Sequence, residues 1–296
     1  MVLSAGIVSV VLGAILVVAF WPGPKEPEYR GKKLSEWLEM QEKHPAETAE
    51  AVRAMGTNAV PFLVRCIDYR YPRWERTVSD FYVKHPRLIG SSYVLRHLDP
   101  RWGTVAVRSQ STVAGFMILG ELASNAIPQL TKVVVTSPYG VAVSIAAESL
   151  SYAGPQAVAP LVGIATNGGL DPGRRARAML VMRNMTYLGT NTAPCIQALL
   201  EGSGETNSSV ATAAKASLSI FTRPQGLPVR VNWTNAAPDP VLRLCVVRAA
   251  ISLATNSNPF IFGIISKGRE DPDPAVRAEA VRYFEERDAR RAGTHD

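Results

Sequence analysis

The chain has 296 residues, 32 Lys and Arg against 25 Asp and Glu, and a formal net charge of +7; 47% of it is apolar and 19% charged. Those figures exclude a disordered chain and a collagen-like fibre, and three cysteines are too few for a disulfide-stapled miniprotein. A body of about 270 residues can bury roughly 70–75% of its unfolded surface.

From Val2 to Trp21 no side chain is charged, and only Ser4 and Ser9 are polar. Twenty helical residues rise about 30 Å, the thickness of a bilayer's hydrocarbon core. Twelve of these residues are Val, Leu, Ile or Phe, which contribute about −4 to −7 kcal/mol toward insertion before the smaller costs of Gly and Ser. Trp21 stands where an interfacial aromatic belongs, and Pro22-Gly23-Pro24 stops the helix. A cleaved secretory signal would have a basic start, a shorter apolar run and a small-x-small cleavage site; Val18-Ala19-Phe20-Trp21 is a poor one. The expected organisation is a single-pass transmembrane anchor over 1–24, a juxtamembrane linker and first helix over 25–45, and a helical body over 46–296. Lys25, Arg30, Lys32 and Lys33 come after the apolar run, and the positive-inside rule alone keeps the body cytoplasmic. A single N-terminal anchor, however, commonly exports the body attached to it, so the side stays open. Cys66, Cys195 and Cys245 are single and widely spaced in apolar helical patterns, the signature of buried core thiols.

The body is helix-patterned throughout and repeats itself. Ser137-Pro138, Asp171-Pro172, Asp239-Pro240 and Asp273-Pro274 fall on one 34-residue grid, and the vacant point at Glu205-Thr206 opens Asn207-Ser208-Ser209, a good helix start two residues on. Asp or Ser accepts a backbone N–H at a helix N-cap, and proline comes next, where its missing N–H costs nothing. Ser137, Asp171, Asp239 and Asp273 are therefore the predicted structural caps. A second set of prolines, Pro61, Pro128, Pro160, Pro194, Pro228 and Pro259, marks a second helix in each unit, with Gly56, Gly154 and Gly189 before the sharp turn. One hairpin of this kind cannot cover its own apolar face, so successive units must stack into an elongated superhelix. Tetratricopeptide arrays share the period but place their proline at the end of the unit, whereas these prolines open both helices.

Asp271-Pro272-Asp273-Pro274-Ala275-Val276-Arg277-Ala278-Glu279-Ala280, with Asp239-Pro240-Val241-Leu242-Arg243 and Asp171-Pro172-Gly173-Arg174-Arg175 as looser copies, resembles the HEAT repeat, in the short bacterial form related to phycobilin-lyase repeats. Tyr29-Arg30-Gly31-Lys32-Lys33-Leu34-Ser35-Glu36-Trp37-Leu38 resembles the front of N-terminally anchored HEAT-repeat proteins of verrucomicrobial-type bacteria, whose role is generally unassigned. The resemblance covers about residues 25–296 and implies an all-α fold, an α-α superhelix (HEAT-repeat solenoid) behind an N-terminal transmembrane helix. It implies a bacterial inner-membrane location, and a ladder in which Asp239, Arg243, Asp273 and Arg277 pair between units. Around Pro228 the β-branched and Asn-rich text Val229-Arg230-Val231-Asn232-Trp233-Thr234-Asn235 predicts a short, distorted or non-helical second element.

Residues 65–110 form an irregular insert in this pattern: nine Lys and Arg against four acids, and seven aromatics. Basic plus aromatic is the composition that binds nucleic acid, and equally that of a packed insert whose arginines snorkel. Tyr71-Pro72, His85-Pro86 and Asp99-Pro100 cut the segment into short helices, which favours packing, so nucleic acid is not the expected partner. Its candidate binding residues are Arg70, Arg73, Trp74 and Arg76. Arg174 and Arg177, three apart on one helix, could clamp a phosphate or carboxylate, and Gln129, Lys132, Gln156 and Gln197 flank the second-helix prolines at exposed positions. The four histidines stand at no metal-ligand spacing, and no nucleophile elbow, phosphate loop or zinc-protease signature is present.

The expected function is a membrane-anchored, non-enzymatic scaffold without metal or cofactor, binding protein or peptide partners on a concave face and held in the membrane by residues 2–21. Two alternatives stand beside it: a phycobilin-lyase-like enzyme or chaperone handling a tetrapyrrole, and nucleic-acid binding through 65–110.

Overall fold

A computed structural model of the chain describes residues 26–67, 106–222, 239–254 and 259–292. The apolar run 2–21, the insert residues 68–105 and the unit around Pro228 lie outside them.

The described chain opens on a short antiparallel hairpin, β1 (Glu28–Tyr29) and β2 (Lys32–Lys33), with Tyr29 opposite Lys32. Arg30 and Gly31 have φ of 51° and 75°, as a two-residue hairpin loop demands. Sequence periodicity missed this hairpin because two-residue strands are too short to alternate. Trp37 of α1 (Leu34–Glu39) pins it from below: its Nε1 donates to the Tyr29 carbonyl at 3.0 Å, and the Lys32 ammonium lies 4.9 Å from the ring centroid.

The rest of the described chain is helical. The helices are α2 (Pro45–Met55), α3 (Val60–Ile67), α4 (Ala106–Leu119), α5 (Ile127–Thr136), α6 (Gly140–Tyr152), α7 (Val158–Thr166), α8 (Pro172–Met182), α9 (Ala193–Ser203), α10 (Ser208–Phe221), α11 (Pro240–Ser252), α12 (Pro259–Gly268) and α13 (Pro274–Ala292). Among the described residues, no helix is long and apolar enough to cross a membrane.

Packing runs between neighbours along the chain. Helix α4 packs on α2 and α6, and α8 on α6 and α10; α5 also packs on α6, α7 on α8, α9 on α10, and α7 on α9. Ser217 Oγ of α10 donates to the Met179 carbonyl of α8 at 2.8 Å, tying one helix to the next of its kind. Helix α6 is filled with small side chains (Ala142, Ala146, Ala147 and Ser149 are all buried), which lets α4, α5 and α8 approach it together. The largest fully buried side chains include Phe116, Leu130, Leu150, Met182, Leu199 and Phe221, so one continuous core runs through the described helices.

Regularity changes past residue 222. A strict 34-residue stack would put α11 on α10, but α11 packs more extensively against α9, with Ser203 and Ser252 Oγ atoms 3.3 Å apart at their C-terminal ends. Helix α11 then carries both α12 and α13.

Among the described residues, four turns between paired helices are 3-10 segments: Gly56–Ala59, Gly120–Ala126, Pro155–Ala157 and Arg183–Thr192. Each leads directly into a second helix, so Pro61, Pro128 and Pro194 sit in first turns, where a missing N–H is harmless. Gly56, Gly120 and Gly154 enter three of these turns with φ of 55°, 55° and 94°. Gly154, with ψ of −177°, lies in a region that only glycine enters readily. A Cβ there would also stand 2.8 Å from Glu121 Cγ and 3.3 Å from Glu121 Cα. Gly154→Ala is expected to cost about 1–3 kcal/mol from backbone strain, read as a lower urea midpoint of the chain in mild detergent. An unchanged midpoint would mean that the turn has another conformation.

Candidate functional site

Four first helices begin as their caps dictate. Asp171 Oδ1 accepts from the N–H of Gly173 at 2.9 Å and of Arg174 at 3.3 Å, and Asp239 Oδ1 from Val241 N–H at 2.9 Å. Asp273 Oδ1 accepts from Ala275 and Val276 N–H at 2.9 and 3.2 Å, and Asn207 Oδ1 from Ser209 and Val210 N–H at 3.1 and 3.3 Å. Ser137 is a correction. It ends α5 rather than opening α6, its Oγ accepts the Tyr139 N–H at 3.2 Å, and α6 starts at Gly140.

An ion pair accompanies two of these caps, half-buried at the first and buried at the second. Arg175 lies four residues after the Asp171 cap, and its guanidinium binds the Glu205 carboxylate while Nε donates to the Ala165 carbonyl at 3.0 Å. Arg243 lies four residues after the Asp239 cap and binds Asp271 through two hydrogen bonds, Nε to Oδ2 at 2.8 Å and Nη2 to Oδ1 at 3.1 Å. Glu205 and Asp271 each stand two residues before the next cap, Asn207 and Asp273. The expected ladder is corrected accordingly. Asp239 and Asp273 use their carboxylates as caps, so Arg243 pairs instead with Asp271, two residues before the Asp273 cap, and Arg277 donates to the Pro272 carbonyl at 2.7 Å.

The candidate binding residues do not form one constellation. Arg70, Arg73, Trp74 and Arg76 lie outside the described residues. Arg174 donates to the carbonyls of Val134 and of Ser137 (2.6 Å), satisfying the C-terminal end of α5, so its guanidinium is engaged with backbone. Arg177 is exposed on α8. Gln129 and Lys132 are exposed on α5, and Gln197 on α9 donates to Glu201 at 3.1 Å. These polar positions therefore divide between second helices and a first helix.

The seam between α6 and the Arg183–Thr192 turn gathers polar groups: the Tyr187 hydroxyl donates to the Ser151 carbonyl at 3.2 Å, and Asn184 Nδ2 to Ser151 Oγ at 3.2 Å. Burial pushes the Tyr187 phenol up, with the Gly154 N–H opposing and Glu121 adding to the rise. These groups satisfy one another and stitch two hairpins. Burial also pushes the Cys195 thiol up to about 12, and Cys245 upward, so neither carries the thiolate that a nucleophile needs. Among the described residues, no group of three or more His, Cys, Asp and Glu could hold a metal ion.

Compared with known proteins, the chain matches no family model, no curated protein and no solved structure. Its function must be read from its own residues.

Proposed function

We propose that the protein is a membrane-anchored HEAT-type helical-repeat scaffold that holds protein or peptide partners. The observation that carries the reading is the recurring unit itself. A capped helix, an arginine four residues on, and an acid two residues before the next cap occur at 171/175/205 and again at 239/243/271. Stacked hairpins of this kind present an extended surface, and the recurring residues are spent on structure, leaving the exposed faces to partners. Exposed Gln129, Lys132, Gln197 and Arg177 are the contributors that such a surface offers. The uncharged run Val2–Trp21 supplies the tether.

The full chain is expected to remain in the membrane pellet after alkaline carbonate extraction, and a chain lacking residues 1–24 to leave it. A photo-crosslinker at Gln129 or Gln197 of the anchored chain is expected to give discrete protein adducts that recur between preparations. Carbonate extraction of the full chain would overturn the anchor. A chromophore absorbing in the visible, or nucleic acid that washes off steeply with salt and no recurring protein adduct, would overturn the scaffold.

A further inference from the structure

The first described residues are fastened to the body with no slack. Ser35 N–H donates to Glu26 Oε1 at 2.5 Å, and Leu34 N–H to the Pro27 carbonyl at 3.0 Å. Trp37 Nε1 holds the Tyr29 carbonyl, so the chain is bound to α1 from Glu26 onward. Between Trp21, where the apolar run ends, and Glu26 stand only Pro22-Gly23-Pro24-Lys25. Five peptide steps reach at most about 18 Å. The headgroup layer beside the hydrocarbon core is about 5–8 Å thick, so an anchored chain carries Glu26 no more than about 10–13 Å beyond it.

The β1–β2 hairpin is built at that point. One of its faces turns to α1: Tyr29 and Lys32 stand opposite each other, the Tyr29 ring 6.3 Å from that of Trp37 and the Lys32 ammonium over the same indole. Glu28 and Lys33, the other cross-strand pair, occupy the opposite face, and both are exposed. Arg30 at the tip is spent on the body, since its guanidinium donates to Glu50 Oε1 at 3.0 Å. Residues 26–36 carry three acids and three cations, and so no net charge.

We propose that the Glu28–Lys33 face is a contact surface for the zwitterionic phospholipid headgroups beside the anchor, a foot on which the helical array stands. This rests on the anchor reading and names what the anchored body touches, and with which end. The tether selects the occupant. A body joined by five peptide steps keeps this hairpin at the bilayer at high effective concentration, however weak each contact is. The chemistry matches: the Lys33 ammonium meets headgroup phosphate oxygens and the Glu28 carboxylate meets headgroup ammonium groups, with opposite charges side by side on both surfaces. An anionic surface gains little from a face whose charges cancel. Because Glu26, Pro27 and Tyr29 are bonded to α1 and its first residues, contact at the hairpin fixes the start of the array against the membrane.

The test places photo-reactive benzoylphenylalanine at Glu28, at Lys33 or, on α13, at exposed Arg282, each in the full chain in nanodiscs of phosphatidylcholine and phosphatidylethanolamine. Lipid adducts, read by mass, are expected at both hairpin positions and to be at least tenfold fewer at Arg282. Adding phosphatidylglycerol is expected to leave the yield unchanged. A 20-residue Gly-Ser insert between Pro24 and Lys25 adds a flexible span of about 25 Å and is expected to cut the hairpin adducts several-fold. Carbonate extraction scores the anchor separately. A chain that stays in the pellet and gives no hairpin adduct would overturn the foot and leave the anchor standing, whereas a chain that is extracted would overturn both. Adducts as abundant at Arg282 as at the hairpin, or hairpin adducts unchanged by the insert, would overturn the tethered foot. Adducts formed only with phosphatidylglycerol present would overturn the zwitterionic assignment.

Discussion

Arg243→Ala is expected to destabilise the protein by about 3–5 kcal/mol, the usual cost of stranding a buried charge. The Asp271 side chain is 1% exposed and that of Arg243 11%, so neither ion can recover full hydration when its partner is removed. Asp271 Oδ1 would retain the Asp273 N–H at 2.9 Å, one neutral donor in place of a two-pronged guanidinium. Removing both charges together, as Arg243→Met with Asp271→Leu, is expected to recover much of the loss, because no unpaired ion is then buried. The exposed pair Arg30–Glu50, with side chains 65% and 54% exposed, is the contrast: Glu50→Ala is expected to cost under about 1 kcal/mol. Urea midpoints of the wild type and these variants in mild detergent check the series. A loss of under about 1 kcal/mol for Arg243→Ala would show that the pair is hydrated and that the unit is not locked in this way.

This ion pair also shows how far the sequence could be read. The Asp-Pro dipeptides at 171, 239 and 273 named real caps because capping is local: acceptor, proline and first-turn N–H groups lie within three residues. Ser137-Pro138 misled because serine hydroxyls also close turns, and here the Tyr139 N–H took it before a helix could begin. Within the Asp271-Pro272-Asp273-Pro274 run Asp273 caps, as its place on the grid implies, while Asp271 belongs to the buried pair. Glu205 filled a position that the 34-residue grid left vacant, and it binds Arg175. Both acids become legible once the chain is aligned on the observed caps, where each stands two residues upstream. Pairing between units is a tertiary matter that the resemblance to HEAT repeats suggested but did not assign. Gly120 was missed although it enters its turn as Gly56 and Gly154 do, because a 3-10 segment of variable length separates it from Pro128. The packing of α11 on α9 had no local signature at all.

Phe116→Ala is expected to cost about 3–5 kcal/mol as well, by lost transfer energy and an unfilled cavity. Phe116 is fully buried in α4, and α4 touches α1, α2, α3 and α6, making it the junction between the hairpin end and the later helices. Its neighbour Gly115 has no room to compensate, since a Cβ there would stand 2.9 Å from Leu63 Cδ2 on α3. Collapse of the cavity would therefore have to shift whole helices. Where helices pack mainly on those near them in the chain, such damage is expected to spread by interfaces and fade with distance. Hydrogen exchange of the variant should show faster exchange in α1–α3 and α6, with α8–α10 close to wild type. Phe116→Leu, which keeps most of the volume, should lose under about 1.5 kcal/mol. Equal acceleration of exchange from α1 to α13 would instead mean that the helices unfold as one cooperative block, and the neighbour-by-neighbour account of this fold would fail.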